Sequence, residues 1–173
     1  MEYLFTLNYL LPAHDCDPDV LVERLGAGGC TDALVGTGLA GRLALEFSRE
    51  AESGEAALLS ALGDIKRIIP DARLVEASPD FVGLSEIADI VGVSRQNMRK
   101  LMLNHAGSFP LAIHEGSASL WHLAEVLSWL EARGGYQLQH PVIEVARVAQ
   151  SVNVAKEARR VGTPSAELVA LLG

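Results

Sequence analysis

Cysteine is nearly absent from this chain. Cys16 and Cys30 are the only two, too few for a disulfide scaffold and in keeping with a reducing compartment. Long hydrophobic runs are missing as well. Although 49% of the residues are hydrophobic, enough to build packed cores, no uninterrupted stretch reaches the ~18 residues of a membrane-spanning helix. The opening run MEYLFTLNYLLPAHD has no basic segment and no small-residue cleavage site, so it reads as a strand rather than an export signal. These absences lead us to expect a soluble cytoplasmic protein. Aromatic residues amount to 5%. Trp121 and Trp129 both fall on the apolar pattern of their segments, which makes them core anchors rather than base-stacking groups.

Positive charge is scarce too. Lys and Arg number 14 against 22 Asp and Glu, a net charge of −8, which argues against a broad cationic surface. The imbalance is local. Residues 1–80 hold 6 basic and 14 acidic side chains, residues 81–135 hold 4 and 5, and residues 136–173 hold 4 and 3. The excess acid therefore lies in the first part, which should not touch nucleic acid. Any contact with DNA would come from a local basic cluster of modest affinity, and so from a dimer or higher oligomer.

That cluster lies in Leu84–Met102, LSEIADIVGVSRQNMRKLM. Ile87 with Val91, and Met98 with Leu101, are spaced by four and three, so each pair shares a helical face. Ala88 is small where two helices must approach closely. Gly92 stands at the reversal, where positive φ costs it nothing, and Ser94 is placed to cap a second helix. The outward face of that helix carries Ser94, Arg95, Gln96, Asn97, Arg99 and Lys100. Arg pairs with guanine, Gln with adenine, and Ser and Lys with phosphate. The expected unit is a helix-turn-helix with these six residues as DNA contacts.

The first 78 residues read as strand, helix, strand, strand, helix, strand. The strands are Tyr3–Leu10, Asp32–Val35, Gly41–Ser48 and Ala72–Ala77; the helices are Val20–Leu25 and Glu52–Ile69. This βαββαβ order predicts a ferredoxin-like domain with one sheet face covered and one open to a second copy or a ligand. The runs GAGG and GTGLAG are expected to be turns, because neither leads into a helix N-terminus of the phosphate-binding kind. His14, Asp15, Cys16, Asp17 and Cys30 follow no metal-ligand spacing. The acids from Glu46 to Glu55 are read as the solvated start of a helix. No catalytic constellation is visible, so neither enzyme activity nor a metal or cofactor is expected.

Ser78-Pro79-Asp80 is a joint. Beyond the helix pair, Leu111–His114 and Ala118–Trp121 flank a turn at Glu115–Ser117 and predict a hairpin wing; His122–Arg133 predicts a helix. The run LSEIADIVGVSRQNMRKLM, with Phe109-Pro110, Ser119-Leu120-Trp121 and Glu125–Leu130, resembles the AlpA-type excisionase regulators and the wider MerR-like winged-helix group. The resemblance covers residues 82–133. It implies sequence-specific binding of double-stranded DNA in the major groove through Ser94, Arg95, Gln96, Arg99 and Lys100. The acidic first 80 residues depart from small excisionases and favour a regulator.

Residues 140–173 predict a helical tail. A helix from Pro141 to about Val161 carries a small-residue stripe (Val142, Val145, Ala146, Ala149, Val152, Ala155, Ala158), and a short helix, Ser165–Leu172, is capped by Thr163-Pro164. The expected fold class is thus α+β: a ferredoxin-like domain (1–78), a winged helix-turn-helix (82–133) and the tail (140–173). The expected function is transcriptional regulation as a DNA-binding dimer. The alternatives are a recombination-accessory, DNA-bending protein, an antitoxin-like autorepressor with a protein partner, or a regulator whose first domain senses a small-molecule effector.

Overall fold

The computed structural model describes residues 1–172. The fold is α+β, with seven helices, a four-stranded antiparallel sheet and a two-stranded one among the described residues. The large sheet contains β1 (Glu2–Leu10), β2 (Ala33–Gly36), β3 (Arg42–Glu50) and β4 (Arg73–Ser78), in the order β2-β3-β1-β4. Strict alternation builds it. Tyr3, Phe5, Leu7 and Tyr9 of β1 are buried, as are Leu43, Leu45 and Phe47 of β3, because successive strand residues face opposite sides. The register pairs Phe5 with Phe47, and the two rings stack at 5.1 Å. On the other face Leu4 and Leu34 are exposed beside Glu46 and Ser48. Of the acids from Glu46 to Glu55 read as a helix start, the structure puts Glu46 and Glu50 on β3, which runs two residues beyond the expected end at Ser48.

Helices α1 (Pro18–Ala27) and α2 (Gly54–Ile68) cover the apolar face. Asp17 caps α1, accepting from the Asp19 and Val20 amides at 3.0 and 3.3 Å. Ser53 caps α2 by accepting from Ala56 N–H at 3.1 Å. Arg49 reaches inward from β3 to tie the layers together. It donates two hydrogen bonds to Asp32, at 2.7 and 3.1 Å, and one each to Asp64 (2.9 Å) and Ser60 (3.0 Å). The guanidinium holds the Asp32 carboxyl below the usual carboxylate range. Cys30 is buried, which pushes its thiol pKa up, and neither cysteine is in a disulfide.

The second core lies beyond the joint. Strand β5 (Phe81–Val82) leads into α3 (Leu84–Val91) and α4 (Arg95–Asn104); β6 (Trp121–His122) leads into α5 (Leu123–Arg133). Ile87, Met98, Phe109, Trp121, Val126 and Leu130 are among its buried members.

The long helix α6 (His140–Val161) belongs to both cores. Val145 and Ala149 enter the first, and Ile143 and Ala146 enter the second. Ala155 and Ala158, expected in the same packing stripe, are exposed, Ala155 at an open cavity between α6 and the sheet. The final helix α7 (Ala166–Leu171) is capped by Ser165, which accepts from Leu168 N–H at 3.1 Å; the expected cap at Thr163-Pro164 lies outside it. No helix among the described residues is long and apolar enough to cross a membrane.

Glu144 ties α6 to α2. Its Oε2 accepts from Gly54 N–H at 2.7 Å, at the N-terminus of α2. The absence of a side chain at Gly54 permits this contact, since a Cβ there would stand 2.8 Å from the Glu144 Cβ. The Gly54 amide first, and then Tyr3, hold the Glu144 carboxyl below its ordinary range. A lowered folded-state pKa contributes stability that is present at neutral pH and lost as pH falls through and below the ordinary glutamate range. Glu144→Gln should therefore lower stability at neutral pH and flatten the acid limb of the stability profile, as read by urea unfolding across a pH series. An unchanged acid limb would refute this role for Glu144.

Candidate nucleic-acid interface

The α3–α4 pair is set by local bonds. Glu86 Oε2 accepts from Gly83 N–H at 2.8 Å and closes the N-terminus of α3. At the other end Gly92 has φ +76°; its N–H donates to Asp89 O at 3.2 Å, and Val93 N–H donates to Ala88 O at 2.9 Å. This crossed pair of bonds is the left-handed termination that favours glycine. Ser94 Oγ then accepts from Asn97 N–H at 3.1 Å and starts α4 two residues after the reversal. Ile87, Ala88 and Met98 are fully buried and hold the two helices together. Gly92→Ala should cost about 1–2 kcal/mol, measured by urea unfolding, with Gly92→Asn costing less because Asn tolerates this conformation. Equal stability of the alanine variant would rule out the strained turn.

All six residues expected to contact DNA are exposed on α4 or at its N-cap: Ser94, Arg95, Gln96, Asn97, Arg99 and Lys100. Helical spacing places Gln96 and Lys100 opposite the buried Met98, Asn97 and Arg99 on the two flanks, and Arg95 nearer the Met98 side. Among the described residues, no ion pair or side-chain hydrogen bond engages Arg95, Gln96, Arg99 or Lys100. Ser94 differs. Its oxygen accepts one bond as the cap, and the hydroxyl proton stays available to an outside acceptor.

The surroundings of α4 are uneven. The exposed residues of α3 include Glu86 and Asp89 and no cation. Glu76, Asp80, Glu86 and Asp89 border a cavity of about 330 Å³ on that side. Phosphate would be repelled on that side of the α3–α4 pair. The segment after α4 contains no Lys or Arg between Leu101 and Arg133.

The hairpin expected in that segment does not form as a regular ladder. One bridge, His114 with Leu120, closes it, because Trp121 and His122 pair instead with Val82 and Phe81. Phe109 anchors the loop, edge-on to Trp121 (6.1 Å) and Trp129 (5.2 Å), while Trp121 Nε1 donates to Pro110 O at 3.1 Å. Both tryptophans thus serve the core, and the Arg133 guanidinium covers Trp129 at 5.5 Å.

Sequence reading passed over the cluster that mounts this unit on the sheet. Asp80, 1% exposed, accepts from Asn153 Nδ2 at 2.8 Å through Oδ2, and its Oδ1 lies 2.7 Å from His122 Nδ1. Its backbone oxygen accepts from Leu123 N–H at 2.8 Å. Asn153 also bonds both backbone groups of Ala77, at 2.9 and 2.8 Å. The available signal was a polar residue at the position where the buried spacing of Ala146 and Ala149 calls for an apolar one.

No protein-family model matches this chain, and no curated protein or solved structure matches it.

Proposed function

We propose that this chain is a sequence-specific regulator of transcription that binds double-stranded DNA, lays α4 in the major groove and acts as a dimer. The observation that carries the reading is the state of the α4 cations. Of the 14 bases in a chain with 22 acids, six (Arg24, Arg49, Arg67, Arg147, Lys156 and Arg160) hold carboxylates among the described residues, and three of the eight that hold none are gathered on α4, which carries no acid. Arg95, Arg99 and Lys100 stand exposed and hold none. An unpaired cationic helix face, with a glutamine and an asparagine interleaved, matches the donors and acceptors of base edges and phosphates.

The strand order β2-β3-β1-β4 supports reading the first half as ferredoxin-like. The sequence α3, turn, α4, loop, α5 supports a winged helix-turn-helix of the AlpA and MerR-like kind. A loop without cations leaves phosphate anchoring to α4. Three cations supply a small counterion-release term, so a pair of subunits is required, reading half-sites about 10 bp apart.

Selection of bound duplexes from a random pool, followed by fluorescence anisotropy at several salt concentrations, tests this. Enrichment of a common half-site, bound in preference to scrambled duplex, is expected. Binding without enrichment of any motif, or no binding, would overturn the proposal.

A further inference from the structure

We infer that the cavity between the C-terminal ends of α2 and α6 and the start of β4 binds a small amphipathic anion: an apolar body with a carboxylate or phosphate head. The cavity measures about 830 Å³, within the range of about 300–1,000 Å³ typical of small-molecule sites. Its accessible apolar lining comes from Leu62 of α2, Pro70, Ala72, Leu74 of the sheet and Ala155 of α6, with Tyr9, Ile65 and Ile69 buried behind it. Its rim carries five cations, Lys66, Arg73, Lys156, Arg159 and Arg160, against two acids, Asp71 and Glu157. This is a positive concavity in a chain whose net charge is −8.

Three of the five cations are already engaged. Lys66 donates to Pro70 O at 2.6 Å, Lys156 to Val75 O at 2.5 Å and to Glu157 at 2.9 Å, and Arg160 to Glu157. Arg73 and Arg159 have no ion pair or side-chain hydrogen bond among the described residues, and both are exposed. Attraction of cations to helix C-termini accounts for Arg159 in the last turn of α6, but Arg73 lies on a strand. Two uncommitted guanidiniums on different elements border the same cavity, and guanidinium forks suit carboxylate or phosphate oxygens. The apolar lining argues for a small ligand over a duplex, whose charged backbone has no apolar surface to place in a concavity.

Isothermal titration of the full chain in the absence of DNA tests this independently of the α4 reading. The probes are decanoate, decyl phosphate, decanol and inorganic phosphate, each below micelle-forming concentration. At least one of the two amphipathic anions should bind about tenfold or more tighter than both decanol and inorganic phosphate, and the tighter of the two identifies the head group. The double substitution Arg73→Ala with Arg159→Ala should weaken that binding about tenfold or more, with an unchanged melting temperature of the unliganded protein, whereas Arg42→Ala, an exposed cation outside this cavity, should leave it unchanged. Failure of both anions to bind, equal binding of decanol, or binding insensitive to the double substitution would each overturn the assignment. So would a double variant that loses affinity for duplex DNA while still binding the probe.

Discussion

Replacing Arg95 and Arg99 together by alanine is expected to abolish sequence preference while leaving the fold intact. Both side chains are exposed and make no contact that stabilises α4, and alanine is the best helix former, so the melting temperature should hold or rise slightly. A bidentate arginine on a base edge contributes about 1–3 kcal/mol of discrimination. Losing two should narrow the ratio of specific to scrambled binding by roughly a hundredfold or more. Lys100→Ala should behave differently. A phosphate contact carries no sequence information, so affinity should fall alike on all duplexes and the slope of log K against log salt should shrink by about 0.9. Competition anisotropy on selected and scrambled duplexes, at several salt concentrations, separates these outcomes. Retained preference in the double variant would remove α4 as the reading helix. A salt slope unchanged in Lys100→Ala would remove its phosphate contact.

Asn153→Ala should be the most damaging single substitution away from the reading surface. Asn153 is fully buried, and its amide occupies three partners at once: the N–H and C=O of Ala77 and the carboxylate of Asp80. Strand β4 is an edge of the large sheet. The Asn153 amide bonds that edge as a neighbouring strand would, and Lys156 takes the next outward carbonyl, Val75 O. Removing the amide strands three buried polar groups, each costing about 1–3 kcal/mol when left without a partner, so a loss near ~3 kcal/mol is expected even with partial rehydration. An uncovered edge also invites pairing between molecules. The variant should therefore unfold at lower urea and form aggregates as concentration rises, as read by denaturation and light scattering. Stability within about 0.5 kcal/mol of the parent would refute the bracing role. A double-mutant cycle with His122→Ala tests whether Asp80 couples the sheet to α5, since groups in one hydrogen-bond network give non-additive losses.

The buried bracing cluster and the α3–α4 pair differ in how far apart their partners lie in the chain. The α3–α4 turn was legible from residues alone because its causes are local. The Gly92 reversal, the Ser94 cap and the Ala88 acceptor act across five residues or fewer, and short-range bonds leave their mark in residue type. The alternation of β1 and β3 was legible for the same reason, since a period of two needs no partner to be recognised.

The rest depended on what each face meets, which periodicity does not encode. Asn153 finds Ala77 across 76 positions, and nothing in either neighbourhood announces the other. The expected wing hairpin shrank to a single bridge because Trp121 and His122 are taken by Phe81 and Val82, a pairing of two residues that is too short to leave a pattern. The small-residue stripe of α6 marked a packing face correctly as far as Val152. Only the placement of the sheet and of α5 divided that face between two cores and left Ala155 and Ala158 in solvent. Residue type thus sufficed wherever hydrogen bonds close within a turn, while the joint, the edge cover and the cationic cavity came from long-range packing, whose geometry is set by the assembled layers.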